Sequence, residues 1–364
     1  TVGYKAEIIM HHFENGRKYG VHIDYFVEKE PLGNAGALFQ LKNRLTDDFL
    51  LLNADAMFNV DFNRFVEFHK ANKGLVTLFT HPNNHPYDSA LIVANADKQV
   101  ERWLSKEDDR PEFYQNRVNA GLHIINPEVL NMDVITSKVD LDRQVLKPLC
   151  GTGNMYCYDS SEYVKDMGTP DRYWGVCKDF EKGIIEARNM KNKQKAIFLD
   201  RDGTINKYVG FLRKSRQFEL LEDASEAISE INRSEYLVVI VTNQPVIARG
   251  EVSYEELQKI HNKMETLLGK EGAYIDGLYF CPHHPHKGYD GEIPELKIDC
   301  ECRKPKPGLL LKAAEELNID LNQSYMIGDS ETDVQAGEAA GCKAIKIEEG
   351  GLLEAVRGIL NDNN

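Results

Sequence analysis

Apolar and polar positions along the chain fall into two alternating kinds of run. Short apolar blocks bounded by Gly, Asn or Asp predict buried strands at residues 20–27, 49–53, 74–80, 90–94 and 121–125. The same signal returns at 196–200, 237–242, 277–281, 325–328 and 344–347. Apolar residues recur at helical spacing near 224–232, 254–268 and 308–317. This alternation predicts an α/β fold, with a parallel sheet in the second half. Residues 181–195 interrupt it. They are charged, helical at Ile184-Ile185-Glu186-Ala187-Arg188, and end in Asn-Met-Lys-Asn-Lys-Gln-Lys, which predicts a terminal helix entering a short polar linker. The expected division is 1–182, a linker at 183–195, and 196–364. There are no internal repeats or low-complexity tracts.

Length and composition change this picture further. A length of 364 residues suits two or three domains at roughly 150 residues each. A formal charge of −14 argues against a nucleic-acid or anionic-membrane surface, so any phosphate must be met by local cations, backbone amides or a metal. No apolar run approaches the roughly 20 residues of a membrane span. Cys281, Cys300 and Cys302 share one segment, which suits reduced thiols at a metal site and a cytoplasmic chain. Thr1 already lies inside a strand–helix pattern, so the N-terminal part of the first unit is expected to be missing.

The chemistry of the second half lies at strand ends. Asp200-Arg201-Asp202-Gly203-Thr204 follows a buried run, and Thr242, Asn243 and Gln244 end another with donors suited to phosphate oxygens. Arg303, Lys304 and Lys306 flank rigid prolines ahead of a helix, and Asp329, Glu331 and Asp333 follow a fourth strand. Singly, each is an ordinary turn, cap or solvated charge. Asp, Thr, Lys and Asp in that order resemble the haloacid-dehalogenase-type phosphatases. The resemblance implies that Asp200 is the nucleophile and Asp202 the general acid and base. It further implies Mg²⁺ held by Asp200, the carbonyl of Asp202 and Asp329, with Thr242, Asn243 and Lys304 on the transferring oxygens. Asp333 would orient Lys304 or the metal shell.

Cys281-Pro282-His283-His284-Pro285-His286 and Cys300-Glu301-Cys302 offer soft ligands for a structural tetrahedral Zn²⁺, with the ligating His open among three. This loop resembles the branch that holds histidinol phosphatase and heptose bisphosphate phosphatase, which implies Cys281, His283, Cys300 and Cys302 as ligands. The loop would pin a flap and position Arg303. Asp202 to Asn206 and Thr242 to Gly250 match the heptose enzymes, with Gln244 and Asn206 as substrate contacts and Arg249 reaching the remote phosphate. Pro245-Val246 stands where that branch more often has Ser-Gly or Ala-Gly.

In the first half, Pro31 to Ala37 is a small-residue loop opening a helix, and Asp55 ends a buried strand. Asn119-Ala120-Gly121 precedes a strand, and Asp166-Met167-Gly168-Thr169-Pro170 closes the half. Together they resemble the sugar-phosphate nucleotidyltransferases, in particular the mannose- and heptose-1-phosphate guanylyltransferases. On that match Leu32, Gly33 and Ala35 approach the nucleobase, and Asp55 and Asp166 hold Mg²⁺. Asn119 and Gly121 would face the sugar. Lys106 follows Ser105 where the family has a Glu-Lys pair, and the family's Gly-rich triphosphate loop would precede Thr1.

The two resemblances together imply two doubly wound α/β domains and two neighbouring reactions on a small phosphorylated sugar. The second half would remove the C7 phosphate of a heptose 1,7-bisphosphate. The first would join the 1-phosphate to a nucleotide from a nucleoside triphosphate, with GDP-heptose implying an α-1-phosphate. Histidinol phosphatase is the alternative for the second half, and a non-catalytic sugar-nucleotide-binding regulator for the first.

Overall fold

The computed structural model describes residues 1–133 and 137–362. The first half carries strands β1 (Phe49–Leu52), β2 (Ala56–Asn59), β3 (Val76–His81), β4 (Leu91–Ala94), β5 (Val100–Leu104), β6 (Val118–Ile125), β7 (Met155–Asp159) and β8 (Tyr163–Asp166). Its helices are α1 (Ala6–Phe13), α2 (Gly36–Gln40), α3 (Phe62–Asn72), α4 (Pro170–Glu181) and α5 (Ile184–Ala187). The main sheet runs β5-β4-β6-β3-β7 with β1 also on β6, and β2 pairs with β8 as a separate ribbon. The main sheet is mixed, since only β3 and β7 run parallel. Phe65 of α3 closes its core edge-on to Phe79, with ring centroids 5.4 Å apart.

The strand expected at 20–27 does not form. Gly16 and Gly20 both take positive φ around a short 3-10 turn, and among the described residues the run's β pairing is a single bridge between Val2 and Val27. With no neighbouring strand to complete the ladder, apolar content alone does not make one.

The second half matches its expected architecture. Strands β9 (Lys195–Leu199), β10 (Tyr236–Asn243), β11 (Gly277–Cys281), β12 (Tyr325–Gly328) and β13 (Lys343–Lys346) form one wholly parallel sheet in the order β11-β10-β9-β12-β13. Side chains of β9 alternate between its faces. Ile197 and Leu199 pack with α6 (Ala224–Asn232), α7 (Tyr254–Lys270) and α10 (Leu352–Asp362), whereas Ala196 and Phe198 pack with α8 (Gly308–Glu316) and α9 (Glu331–Ala340). The chain winds outward from β9 to β11 and then crosses to β12. Strand order therefore reverses beside β9, the place where such sheets open a crevice at their carboxyl ends.

Residues 183–195 are packed in part, with Gly183, Glu186 and Lys191 to Lys193 exposed. Ile184 and Ile185 are buried with Tyr163 and Val176. Arg188 pairs with Asp276 at 3.1 Å and donates to the carbonyl of Tyr236 at 2.7 Å. Gln194 donates to the carbonyls of Ala187, Asn189 and Asn192, so the polar residues here satisfy backbone that leaves regular structure. The halves also touch along α7, where the Thr266 hydroxyl and the Glu265 carboxylate accept from the amides of Tyr114 and Asn116, each at 2.8 Å. Among the described residues no helix is long and apolar enough to cross a membrane.

Candidate active site

Asp200 leaves the end of β9 and Asp329 the end of β12, while Thr242 and Asn243 end β10, so three parallel strands deliver their last residues to one cavity of about 290 Å³. Lys304, from the loop before α8, reaches into this cluster. Its Nζ lies 2.6 Å from both Asp200 Oδ1 and Asp333 Oδ1 and donates to the carbonyl of Val241 at 2.8 Å. Burial works against the Lys304 charge, but the two carboxylates outweigh it and hold the ammonium above its ordinary pKa. Burial, aided by Asp333 and Asp202, pushes the Asp200 carboxyl up against the opposing pull of Lys304. Asp329 is likewise raised by burial and by Asp333.

Four carboxylates thus share two buried cations, Lys304 and Arg201. One oxygen each from Asp200, Asp329 and Asp333 lies within 4.8 Å of the other two. A surplus of hard oxygen donors at one point fits a divalent cation such as magnesium. Gly203 makes this arrangement possible. Its φ is +90°, and a Cβ there would sit 2.2 Å from Asp329 Oδ2.

Asp202 has a different environment. Arg201 Nη2 donates to both of its oxygens at 2.9 and 2.7 Å, and Gln244 and Asn206 add further donors at 3.0 and 3.1 Å. Burial alone would raise its pKa, and the Arg201 charge reverses this, leaving the carboxyl below the usual range. Thr242 accepts from Gln244 at 2.9 Å, which leaves its hydroxyl hydrogen free to face the cavity.

Several expected contacts are placed elsewhere. Asn206 is buried beneath Asp202 and does not line the cavity, because its amide is used on Asp202 and the Lys207 carbonyl. Asn243 lines the cavity but spends its amide on both backbone groups of Lys304, at 3.0 Å each. Arg249 stands outside the cavity. Its guanidinium is sandwiched between Phe211 and Tyr289, 4.2 and 4.5 Å from their centroids, and it meets His284 at 3.2 Å. Arg303 does line the cavity, with Nη1 donating to the carbonyl of His283. Sequence reasoning named no role for Arg201 or His261. The only local signal was a cation between two acids, and its partner comes from a helix some 60 residues away.

Cys281 ends β11 opposite Asn243 of β10, which sets a second cluster beside the first. Cys281, His283, Cys300 and Cys302 lie within 4.8 Å of one another, with Sγ to His283 Nδ1 at 3.6 and 3.3 Å and Cys300 to Cys302 at 3.3 Å. Burial first, then neighbouring thiols, raises the Cys281 pKa, as expected where soft donors face one another without a cation. His284 points away, to Arg249, Lys297 and the carbonyl of His286. The donor set fits a closed tetrahedral Zn²⁺ site.

In the first half, Asp55, Asn119, Gly121 and Asp166 line one cavity of about 770 Å³. Gly121 has φ +75°, and a Cβ there would meet the Asn53 amide at 2.4 Å. Arg172 pairs with Asp166 at 2.6 Å. Leu32, Gly33 and Ala35 are absent from this lining, since their loop is stitched to residues 137–141 through Val139 and Leu141. Lys106 is also absent and pairs with Asp88 at 3.2 Å.

Residues 1–183 match the nucleotidyl transferase family model, and residues 301–355 a HAD-hydrolase-like model. The D-glycero-beta-D-manno-heptose-1,7-bisphosphate 7-phosphatase of Pasteurella multocida (strain Pm70) is 45% identical over 151 residues, 41% of this chain and 79% of that protein. Its Yersinia pestis counterpart is 45% identical over 145 residues, 40% of this chain and 75% of that protein. The solved D,D-heptose 1.7-bisphosphate phosphatase from B. bronchiseptica, complexed with magnesium and phosphate, is similar over 46% of this chain and 99% of its own, at 29% identity and a TM-score of 0.41. The chain therefore belongs to the nucleotidyl transferase family over residues 1–183 and, through the stretch it shares with those relatives, to the heptose-1,7-bisphosphate 7-phosphatase family.

Proposed function

We propose that this chain is a magnesium-dependent phosphatase that removes the C7 phosphate of D-glycero-D-manno-heptose 1,7-bisphosphate. Its second half is joined to a nucleotidyltransferase unit in which an oxygen of the heptose 1-phosphate attacks the α-phosphorus of a nucleoside triphosphate, GTP by the resemblance noted above, and pyrophosphate leaves. The observation that carries the reading is Lys304 at 2.6 Å from both Asp200 and Asp333, beside Asp202 and Asp329, at the carboxyl ends of parallel strands. A phosphate dianion repels nucleophiles, so cations must meet it first. Lys304 and the Thr242 hydroxyl face its oxygens. The Asp200 oxygen not held by Lys304 attacks phosphorus as the bond to the sugar oxygen breaks, and Asp202, whose pKa the arriving phosphate dianion raises against the pull of Arg201, supplies the proton that oxygen needs. Water then attacks the aspartyl-phosphate and gives its proton to Asp202, releasing orthophosphate and restoring Asp200. Magnesium, which Asp200, the Asp202 carbonyl and Asp329 would hold, supplies charge neutralisation when bound. Zinc would suit the three thiolates and one imidazole that anchor Arg303 at the rim, and clustered thiols suit the reducing cytoplasm.

The test is orthophosphate release from both anomers of the heptose bisphosphate and from histidinol phosphate, for wild type and Asp200→Asn. The named relatives act on the beta anomer, whereas a GDP-heptose product implies the alpha. We expect heptose bisphosphate to be preferred and Asp200→Asn to lose about a thousandfold or more. Equal rates in the two proteins would remove Asp200 as nucleophile. A preference for histidinol phosphate would move the chain to the sister activity. For the first half, nucleotide transfer to the 1-phosphate is expected. Binding without transfer would make it the regulatory module.

A further inference from the structure

We propose that Arg201 is a positioning residue of the phosphatase reaction: it clamps the Asp202 carboxylate at the cavity wall, and His261 of α7 fixes its guanidinium from behind. The proposal rests on the phosphatase reading above. Arg201 is the largest wholly buried side chain among the described residues. Burying a guanidinium is costly unless its donors are used, and here they are. Nη2 spans both Asp202 oxygens at 2.9 and 2.7 Å, and Nε adds a contact at 3.2 Å. Nη1 meets His261 Nε2 at 3.1 Å, and burial keeps that imidazole neutral and able to accept. A planar fork held on both sides leaves the carboxylate little torsional freedom.

This matters because proton transfer by Asp202 is geometric. As the Asp200 oxygen bonds to phosphorus and the sugar oxygen departs, one proton moves from Asp202 to that oxygen. When water attacks and the Asp200–phosphorus bond breaks, one proton returns to Asp202. Both transfers need a carboxyl oxygen within hydrogen-bond reach, and a loosened Asp202 fails both. Aryl phosphates separate the two, because phenolate leaves without a proton. Formation of the aspartyl-phosphate then escapes the defect, but its hydrolysis does not.

The experiment compares the full-length wild type with Arg201→Lys and His261→Asn, with magnesium, on the heptose bisphosphate and on p-nitrophenyl phosphate. Arg201→Lys keeps the charge and loses the fork. We expect its kcat on the sugar substrate to fall about 100-fold with KM within about threefold. On the aryl substrate we expect a burst of one phenolate per site at near wild-type rate, then slow turnover. His261→Asn should show the same split at about a tenfold loss in kcat. Arg201→Lys with kcat within about twofold of wild type overturns the proposal. So does joint loss of burst and turnover in a variant with wild-type circular dichroism and melting. If Arg201→Lys does not fold, His261→Asn decides alone, and an unchanged kcat there is equally fatal. A wild type inactive on both substrates removes the phosphatase reading and this proposal together, whereas an active wild type with an indifferent Arg201 removes only the latter.

Discussion

Lys304 and Gly203 bear the tightest constraints on individual residues. Replacing Lys304 by Met leaves Asp200 and Asp333 facing each other without their shared cation, at 7% and 1% exposure. Removing one partner of such a buried cluster costs about 3–5 kcal/mol. Denaturant melts of Lys304→Met should show a loss of that order, with phosphate release abolished. Gly203→Ala should act differently. The added Cβ collides with Asp329 Oδ2 at a backbone angle unfavourable to Ala, so magnesium titrations should show weakened binding while the fold persists. The order of acids, Thr and Lys along the second half was legible because Asp200, Thr242 and Asp329 stand at the ends of strands of one parallel sheet, where such ends converge, while Lys304 comes from the loop before α8. Asn206 and Arg249 lie off the cavity, and Asn243 on it spends its amide on Lys304, for one reason: a motif records which side chains lie near a site, not which backbone or ring they spend their polar atoms on.

At the scale of elements, the paired Cys-x-His and Cys-x-Cys turns join the end of β11 to the loop that carries Arg303 and Lys304. With the thiols clustered, removal of a bound metal should loosen both cations at once. A strong chelator, or Cys302→Ser, should lower the melting temperature and raise KM for the bisphosphate more than for p-nitrophenyl phosphate, which offers Arg303 at the cavity rim neither a hydroxyl nor a second phosphate to meet. Equal KM changes would show that the cluster does not steer Arg303. The β9 face residue Phe198 is wholly buried among Leu309, Leu310 and Ala336, and Phe198→Ala should cost about 3–5 kcal/mol in denaturant melts. This sheet was readable because continuous apolar runs suit strands covered on both faces. The mixed first sheet was read less well. Short strands such as β2 and β8 depend on each other for pairing, and nothing in either run announces the partner.

Across the whole molecule, the seam between the halves holds a buried acid. Glu265 accepts from the amide of Asn116, with Arg117 nearby and Asp159 adding repulsion. Burial raises its pKa from 4.5 to about 7. A raised acid stabilises the fold fully below pH 4.5, and that contribution is lost as pH rises through about 7. Glu265→Gln, which can still accept from Asn116, should therefore stabilise the chain by up to about 3 kcal/mol at pH 8 and little at pH 5. Melts at the two pH values check this, and an equal effect at both would remove ionisation as the cause. Neither half's own pattern disclosed the seam, because its residues read as ordinary helix and loop.

Helix α7 carries Glu265 and Thr266 toward the first half and His261, one turn earlier, toward Arg201. The two units are consequently not interchangeable cassettes. A graft that swaps residues 1–182 for a foreign fold would leave Glu265 against a surface not shaped to receive it. The shift of a single helical turn would then be felt at Asp202, the acid proposed to carry the proton in a reaction the replaced half never touches.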